Sequence, residues 1–163
     1  MTLQEVIRRI EAEAGRNPLV NTIVENDVFK LNGVPDVRYG VFAWTQGTHS
    51  AGADSDERRY TFNLFYVDRL LANKSNQIDV QSAGVEVLDN ILRALADELG
   101  VENWSIVTFN QRFNDECAGA YVTVTLSAPV ESVCAENYDE ILKGDFNRDY
   151  NTDFFIRKIQ VKI

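Results

Sequence analysis

The stretch Tyr60–Gly100, YTFNLFYVDRLLANKSNQIDVQSAGVEVLDNILRALADELG, decides how the chain is read. It opens in alternation. Tyr60, Phe62, Leu64 and Tyr66 fall on one side, and Thr61, Asn63, Phe65 and Val67 on the other. A period of two is that of a strand, and aromatics on both sides predict a strand inside a sheet. After a polar connection, Ala72–Asn76, the period changes. Val85, Leu88, Leu92, Leu95 and Leu99 recur at spacings of three and four, and Ile91 widens the stripe. This predicts one amphipathic helix over Ile78–Leu99, roughly 30 Å long at 1.5 Å per residue. Gly100 is placed to end it just past the last turn. From Ser75 to Leu99 five acids (Asp79, Glu86, Asp89, Asp97, Glu98) stand against one base, Arg93. The outer face, with Glu86, Asp89 and Arg93, is therefore a candidate contact surface; the simpler reading is a solvated charged face.

Outward from this stretch, the chain supplies what a helix-covered sheet needs. Thr2 and Glu5 form a capping box before Leu3, Val6, Ile7 and Ile10, which lie at helical spacing, and Gly15 with Asn17-Pro18 ends that helix. Val28–Leu31 and Val37–Thr45 are expected as the two arms of a hairpin about Asn32-Gly33. Gln46–Arg59, QGTHSAGADSDERR, has no period and is expected as a long hairpin tip that contacts a neighbour through His49, Asp54 and Asp56. Trp104–Phe109 and Ala120–Ser127 read as two further strands joined by a loop over Asn110–Gly119. The expected fold is α+β: an antiparallel sheet with an N-terminal helix and a long helix packed on it. Residues 1–128 form the compact domain. Residues 129–163 form a C-terminal extension ending in a strand, where Phe154 and Phe155 precede Ile159, Val161 and Ile163 in alternation with Lys158, Gln160 and Lys162.

Composition narrows the partners. With 163 residues and 45% hydrophobic content the chain suits one domain with a real core. A net charge of −9 argues against general affinity for nucleic-acid phosphates or anionic membranes. It is compatible with DNA that must pass without sticking. No apolar run approaches membrane-spanning length, and the start MTLQEVIRRIEAEAG lacks a signal-peptide core, so cytoplasmic synthesis is expected. Cys117 and Cys134 form no CxxC pair and read as small hydrophobes or free thiols.

Catalytic and metal motifs were weighed and set aside. Asp145, Asn147, Asp149, Asn151 and Asp153 have the oxygen-ligand spacing of an EF-hand loop, but Tyr150 stands where glycine is needed and Ile156 where the bidentate glutamate is needed. Asp115, Glu116 and Cys117 have no second cluster to complete a metal site. His49 is the only histidine and has no evident catalytic partner. No metal, no cofactor and no catalytic residue is expected.

The order helix, hairpin, long tip, strand, long helix, hairpin resembles the small α/β proteins of phage head–tail junctions, the tail-completion or tail-terminator family. The similarity covers roughly Leu3–Ser127. It is carried most by FNLFYVDRLLANKSNQIDVQSAGVEVLDNILRAL, where a strand ending Val67-Asp68-Arg69 leads into a helix bearing Ile78, Gln81, Gly84 and Leu88. The resemblance implies a non-enzymatic structural protein of the virion neck or tail, present in host cytoplasm during assembly. It implies a homo-oligomeric ring that contacts portal, adaptor or tail proteins and has DNA only as cargo in its channel, with no membrane partner. A neck ring protein fits equally. On this reading the interface residues are His49, Asp54, Asp56, Glu86, Asp89, Arg93, Phe154, Phe155, Ile159 and Val161. Two other classes stay open: a small hydrolase-like α+β enzyme, favoured by a pocket joining His49 to Asp54, Asp56 or Glu57, and a monomeric adaptor that binds a peptide on an open sheet edge.

Overall fold

In chain order the elements are α1 (Leu3–Arg16), β1 (Thr22–Val24), β2 (Val41–Ala51), β3 (Glu57–Arg69), α2 (Gln77–Ala96), β4 (Gly100–Val101), β5 (Ile106–Arg112) and β6 (Glu116–Pro129). The structure, a computed structural model, describes residues 1–130, and Met1–Val130 forms one unit. Six strands make one sheet in the order β1-β2-β3-β6-β4, with β5 also paired to β6. β1 runs parallel to β2, and every other pairing is antiparallel. The sheet is thus mixed, and the fold is α+β as expected.

The quoted stretch takes its expected place. β3 pairs with β2 on one side and with β6 on the other, so it is the middle of the sheet. On one face Phe42, Trp44, Phe62, Leu64, Tyr66, Val122, Val124 and Leu126 meet the two helices. α1 begins on the Thr2–Glu5 capping box and buries Val6, Ile10 and Ala14. α2 buries Val80, Gly84, Val87, Leu88, Ile91, Leu92 and Leu95. Its buried stripe is wider than the sequence spacing alone implies, because α1, β3, β5 and β6 all pack on it. Gly84 permits the close approach: a Cβ there would lie 3.0 Å from that of Ala120 and 3.2 Å from Cδ1 of Tyr66. At Gly119 a Cβ would overlap the Tyr66 carbonyl oxygen across the β3–β6 pair.

The opposite face is divided. At one end Val41, Ala43, Val67 and Cys117 are covered by Val28 and Leu31 of a short 3₁₀ turn and by Phe113. Towards the other end the exposed rows are polar. Asn63 donates to the Thr45 hydroxyl (3.2 Å) and accepts from Thr123 (2.7 Å), and Thr61 meets Thr125 at 3.1 Å.

Four expectations are corrected. Val28–Leu31 is not a strand, and no hairpin forms at Asn32-Gly33. Asp27 accepts from the Phe29 amide and starts a 3₁₀ turn, Val28–Gly33, whose Val28 and Leu31 are both buried. The strand preceding β2 is instead β1. Gln46–Arg59 is not an unstructured tip. β2 and β3 stay paired out to Ala51 and Arg58, and only residues 52–56 connect them. The polar, Gly-rich composition hid a strand whose pairing rests on backbone groups. Asn110–Gly119 is likewise mostly strand, with only residues 113–115 between β5 and β6. Gly100 does not end α2. The helix stops at Ala96, and Gly100 pairs with Ser127 in β4.

Candidate functional site

The expected contact residues do not gather in one place. His49 sits on β2 with its ring on the helix-facing side, edge-on to Tyr60 with centroids 5.3 Å apart and tilted to Phe62 at 6.0 Å. Its Nε2 lies 3.2 Å from Oε1 of Gln46. Asp54 and Asp56 are exposed in the 52–56 connection, where the Asp56 carbonyl accepts from the Val130 amide at 2.7 Å. A shallow cleft at this end is lined by Ser50, Ala51, Gly52, Ser55, Glu57 and Arg59. His49 is not among its walls, so this cleft does not join His49 to Glu57.

On α2, Glu86 is exposed. Asp89 and Arg93 serve the fold. Arg93 Nε donates to Asp89 Oδ2 at 2.6 Å, and Trp104 Nε1 donates to Asp89 Oδ1 at 3.1 Å. The Arg93 bond holds the Asp89 carboxyl below the usual aspartate range, with Trp104 adding to the effect. A carboxylate held by two donors of its own chain fastens the segment before β5 onto α2. The other tryptophan is held the same way, with Trp44 Nε1 donating to Glu11 of α1 at 2.9 Å. Phe154, Phe155, Ile159 and Val161 lie outside the described residues.

A second polar cluster joins the loop before β2 to the β5–β6 turn. The Tyr39 hydroxyl donates to Asp115 at 2.7 Å, Arg69 lies 3.4 Å from the other oxygen of that carboxylate, and the Cys117 thiol is directed at the Asp115 carbonyl at 3.6 Å. Burial pushes the Cys117 thiol upward, and burial with the Asp115 bond pushes the Tyr39 hydroxyl upward. A thiol kept protonated is a poor nucleophile, so the cluster acts as a clamp. Among the described residues no group of three or more His, Cys, Asp or Glu side chains could hold a metal ion, and no helix is long and apolar enough to cross a membrane.

What the sequence reading missed is the sheet edge at β5. Exposed large hydrophobics lie on this strand (Val107, 46%) and on segments linked to it (Phe29, 56%; Leu71, 61%; Ile78, 73%). Phe29 packs at a tilt against Phe113, just past the strand's end, with centroids 5.8 Å apart. Leu71 begins the turn whose Lys74 shares a cleft with Asn110, Gln111 and Arg112. Ile78 lies one helical turn before Gln81, whose amide donates to Phe109 O and Asn110 Oδ1. The readable signal was Ile78, an apolar residue off the buried stripe beside Asp79. A strand edge with no partner among the described residues, carrying an exposed apolar side chain, is chemistry for docking a protein.

No protein-family model and no curated protein matches the chain.

Proposed function

We propose that the chain is a structural subunit of a tailed phage, assembling into a ring at the head–tail junction or tail end through which DNA passes. The observation that carries assembly is the β5 edge: seven residues paired with β6 on one side and, among the described residues, with no strand on the other, with Val107 exposed on it. Such a surface, on a chain otherwise well packed, favours protein contact. The order of elements around β3 and α2 supports the phage setting through the resemblance given above. The net charge of −9 suits a conduit, since an acidic wall repels the DNA backbone. On this reading the protein is not an enzyme, has portal, adaptor or tail proteins as neighbours, and resides in the virion.

The test is mass by light scattering together with negative-stain imaging, alone and with phage portal and tail proteins. A closed ring, or incorporation into a portal-bound one, is expected. A chain that stays monomeric with every such partner overturns the reading. The same open edge favours one second reading, an adaptor that takes a peptide as an added strand. A monomer that binds an extended peptide with one-to-one stoichiometry would establish the adaptor instead.

A further inference from the structure

We infer that neighbouring copies join head to tail through their sheets, β5 of one subunit pairing with β1 of the next. The inference rests on the ring reading and names its joint. The first argument is height. The row Val24–Ala43–Phe65–Tyr121–Val107 crosses the whole sheet from β1 to β5. It is flanked by Ile23–Phe42–Tyr66–Ala120–Thr108 and Thr22–Val41–Val67–Gly119–Phe109. The two outer strands are therefore level, at opposite ends of one band. A sideways copy can continue that band with no slide along the strands. A contact without such a slide suits a ring that closes, whereas a slide along the ring axis would generate a spiral.

The second argument is direction. β1 runs with β2, and the sense then reverses at β3, β6 and β5 in turn. β1 and β5 are opposed, so the next copy's β1 meets β5 antiparallel, the stronger of the two ladders. The third is edge defence. The outer stretch of β2 carries a bulge between Gln46 and His49, and β4 has only two residues. A bulge blunts an edge, whereas β1, though only three residues long, is regular along its length. β5 keeps seven consecutive pairings with β6 from Ile106 to Arg112 and contains no proline or lysine. The fourth is area. Val107 on β5 is exposed, and Phe29, Leu71 and Ile78 add exposed apolar side chains on neighbouring segments of both faces. On the far edge Leu19, just before β1, is 47% exposed. A stable contact covers about 800 Å² per partner, so the backbone strip and flanking loops must join these side chains in it.

The experiment is disulfide trapping in the full-length chain, with the wild type oxidised in parallel as control. The double variant Ile23→Cys with Thr108→Cys places the two thiols opposite each other only across the proposed joint, because within one chain the residues lie at opposite ends of a row. Mild oxidation is expected to give a ladder of covalent oligomers, and neither single variant is expected to give more than the wild type. A ring that forms without any such ladder overturns the joint and leaves the ring reading standing. A covalent dimer from Thr108→Cys alone would show β5 pairing with itself and also overturns it. A monomer under all conditions removes both proposals. As a variant that spares the folded chain, Val107→Lys is expected to weaken self-association at least tenfold with an unchanged melting temperature. Unchanged association in Val107→Lys counts against the joint.

Discussion

The two faces of the sheet are held by different means. The helix-facing side is a continuous apolar layer in which Phe42, Phe62, Leu64 and Leu126 meet α1 and α2 with no exposed surface. The opposite side has a small apolar patch under the 3₁₀ turn, then rows of threonine and asparagine that bond to one another across strands. Burial of apolar area dominates folding, whereas a hydrogen bond on a wetted surface replaces one to water. The first face therefore carries the stability. The polar rows of the second are already satisfied by one another.

The sharpest way to break this comparison is to remove equal volume from each side. Leu88 on α2 has no exposed surface and Leu31 on the 3₁₀ turn has almost none. Leu88→Ala is expected to cost about 4 kcal/mol, because sheet and α1 hem in the cavity. Leu31→Ala is expected to cost about 2 kcal/mol, since a lone turn can settle into the space it leaves. Urea unfolding measures both. If Leu31→Ala proves as costly as Leu88→Ala, the covered patch is an equal core and the contrast fails.

A smaller effect is expected from the polar rows. Asn63 sits between Thr45 and Thr123, so Asn63→Ala removes both of its bonds. The freed hydroxyls are at the surface and turn to water, so the expected loss is about 0.5–1 kcal/mol. A loss above about 2 kcal/mol would show that the rows help hold the sheet together.

The same division governs what the sequence made legible. The β3 alternation and the Thr2–Glu5 box are local patterns with strong physical causes and are found where they were read; of the α2 stripe Leu88, Ile91, Leu92 and Leu95 are buried, while Val85 is only part-buried and Leu99 lies past the helix end. The spacing of Val28 and Leu31 by three residues was also present, but four apolar-leaning residues before Asn-Gly resemble a strand. Only the patch that they cover on the sheet decides for the turn. Thr22–Val24 is three residues long and paired in parallel, so nothing nearby in sequence announces it. The outer half of β2 was hidden because polar residues on both sides leave no period to read. On α2 the acids were counted correctly, but their use was not visible. That Asp89 receives Trp104 depends on the chain turning back after β4, a non-local event. The β5 edge was invisible for the same reason: an edge is defined by which strand is absent beside it.

The finest distinction between the faces is their response to acid. The helix side is fastened by carboxylates: Glu5 caps α1, Glu11 holds Trp44, and Asp89 holds Trp104 and Arg93. On the open side the polar rows are fastened by neutral side chains, while Asp27 and Asp115 hold the turns over its covered end. Bonding to the Thr2 amide lowers the Glu5 carboxyl from its ordinary value of 4.5, and bonding to Arg93 lowers that of Asp89 from 3.8. A group whose folded pKa is depressed stabilises fully above its unfolded value and loses that contribution as pH falls through the folded one. The contributions of Glu5 and Asp89 are therefore complete at neutral pH and fade below about pH 4.5. Glu5 is exposed and Asp89 is part-buried at the protein surface, so the change is a local loosening rather than unfolding. Hydrogen exchange at pH 3 against pH 7, corrected for intrinsic rates, is expected to show lost protection in the first turn of α1 and around Trp104. Protection along β3 and β6 should be kept, and the cost of Asn63→Ala should be the same at both pH values. Equal loss of protection at these sites and in the β3–β6 ladder would mean that acid opens the sheet as a whole, and that Glu5 and Asp89 do not fasten the helix side selectively.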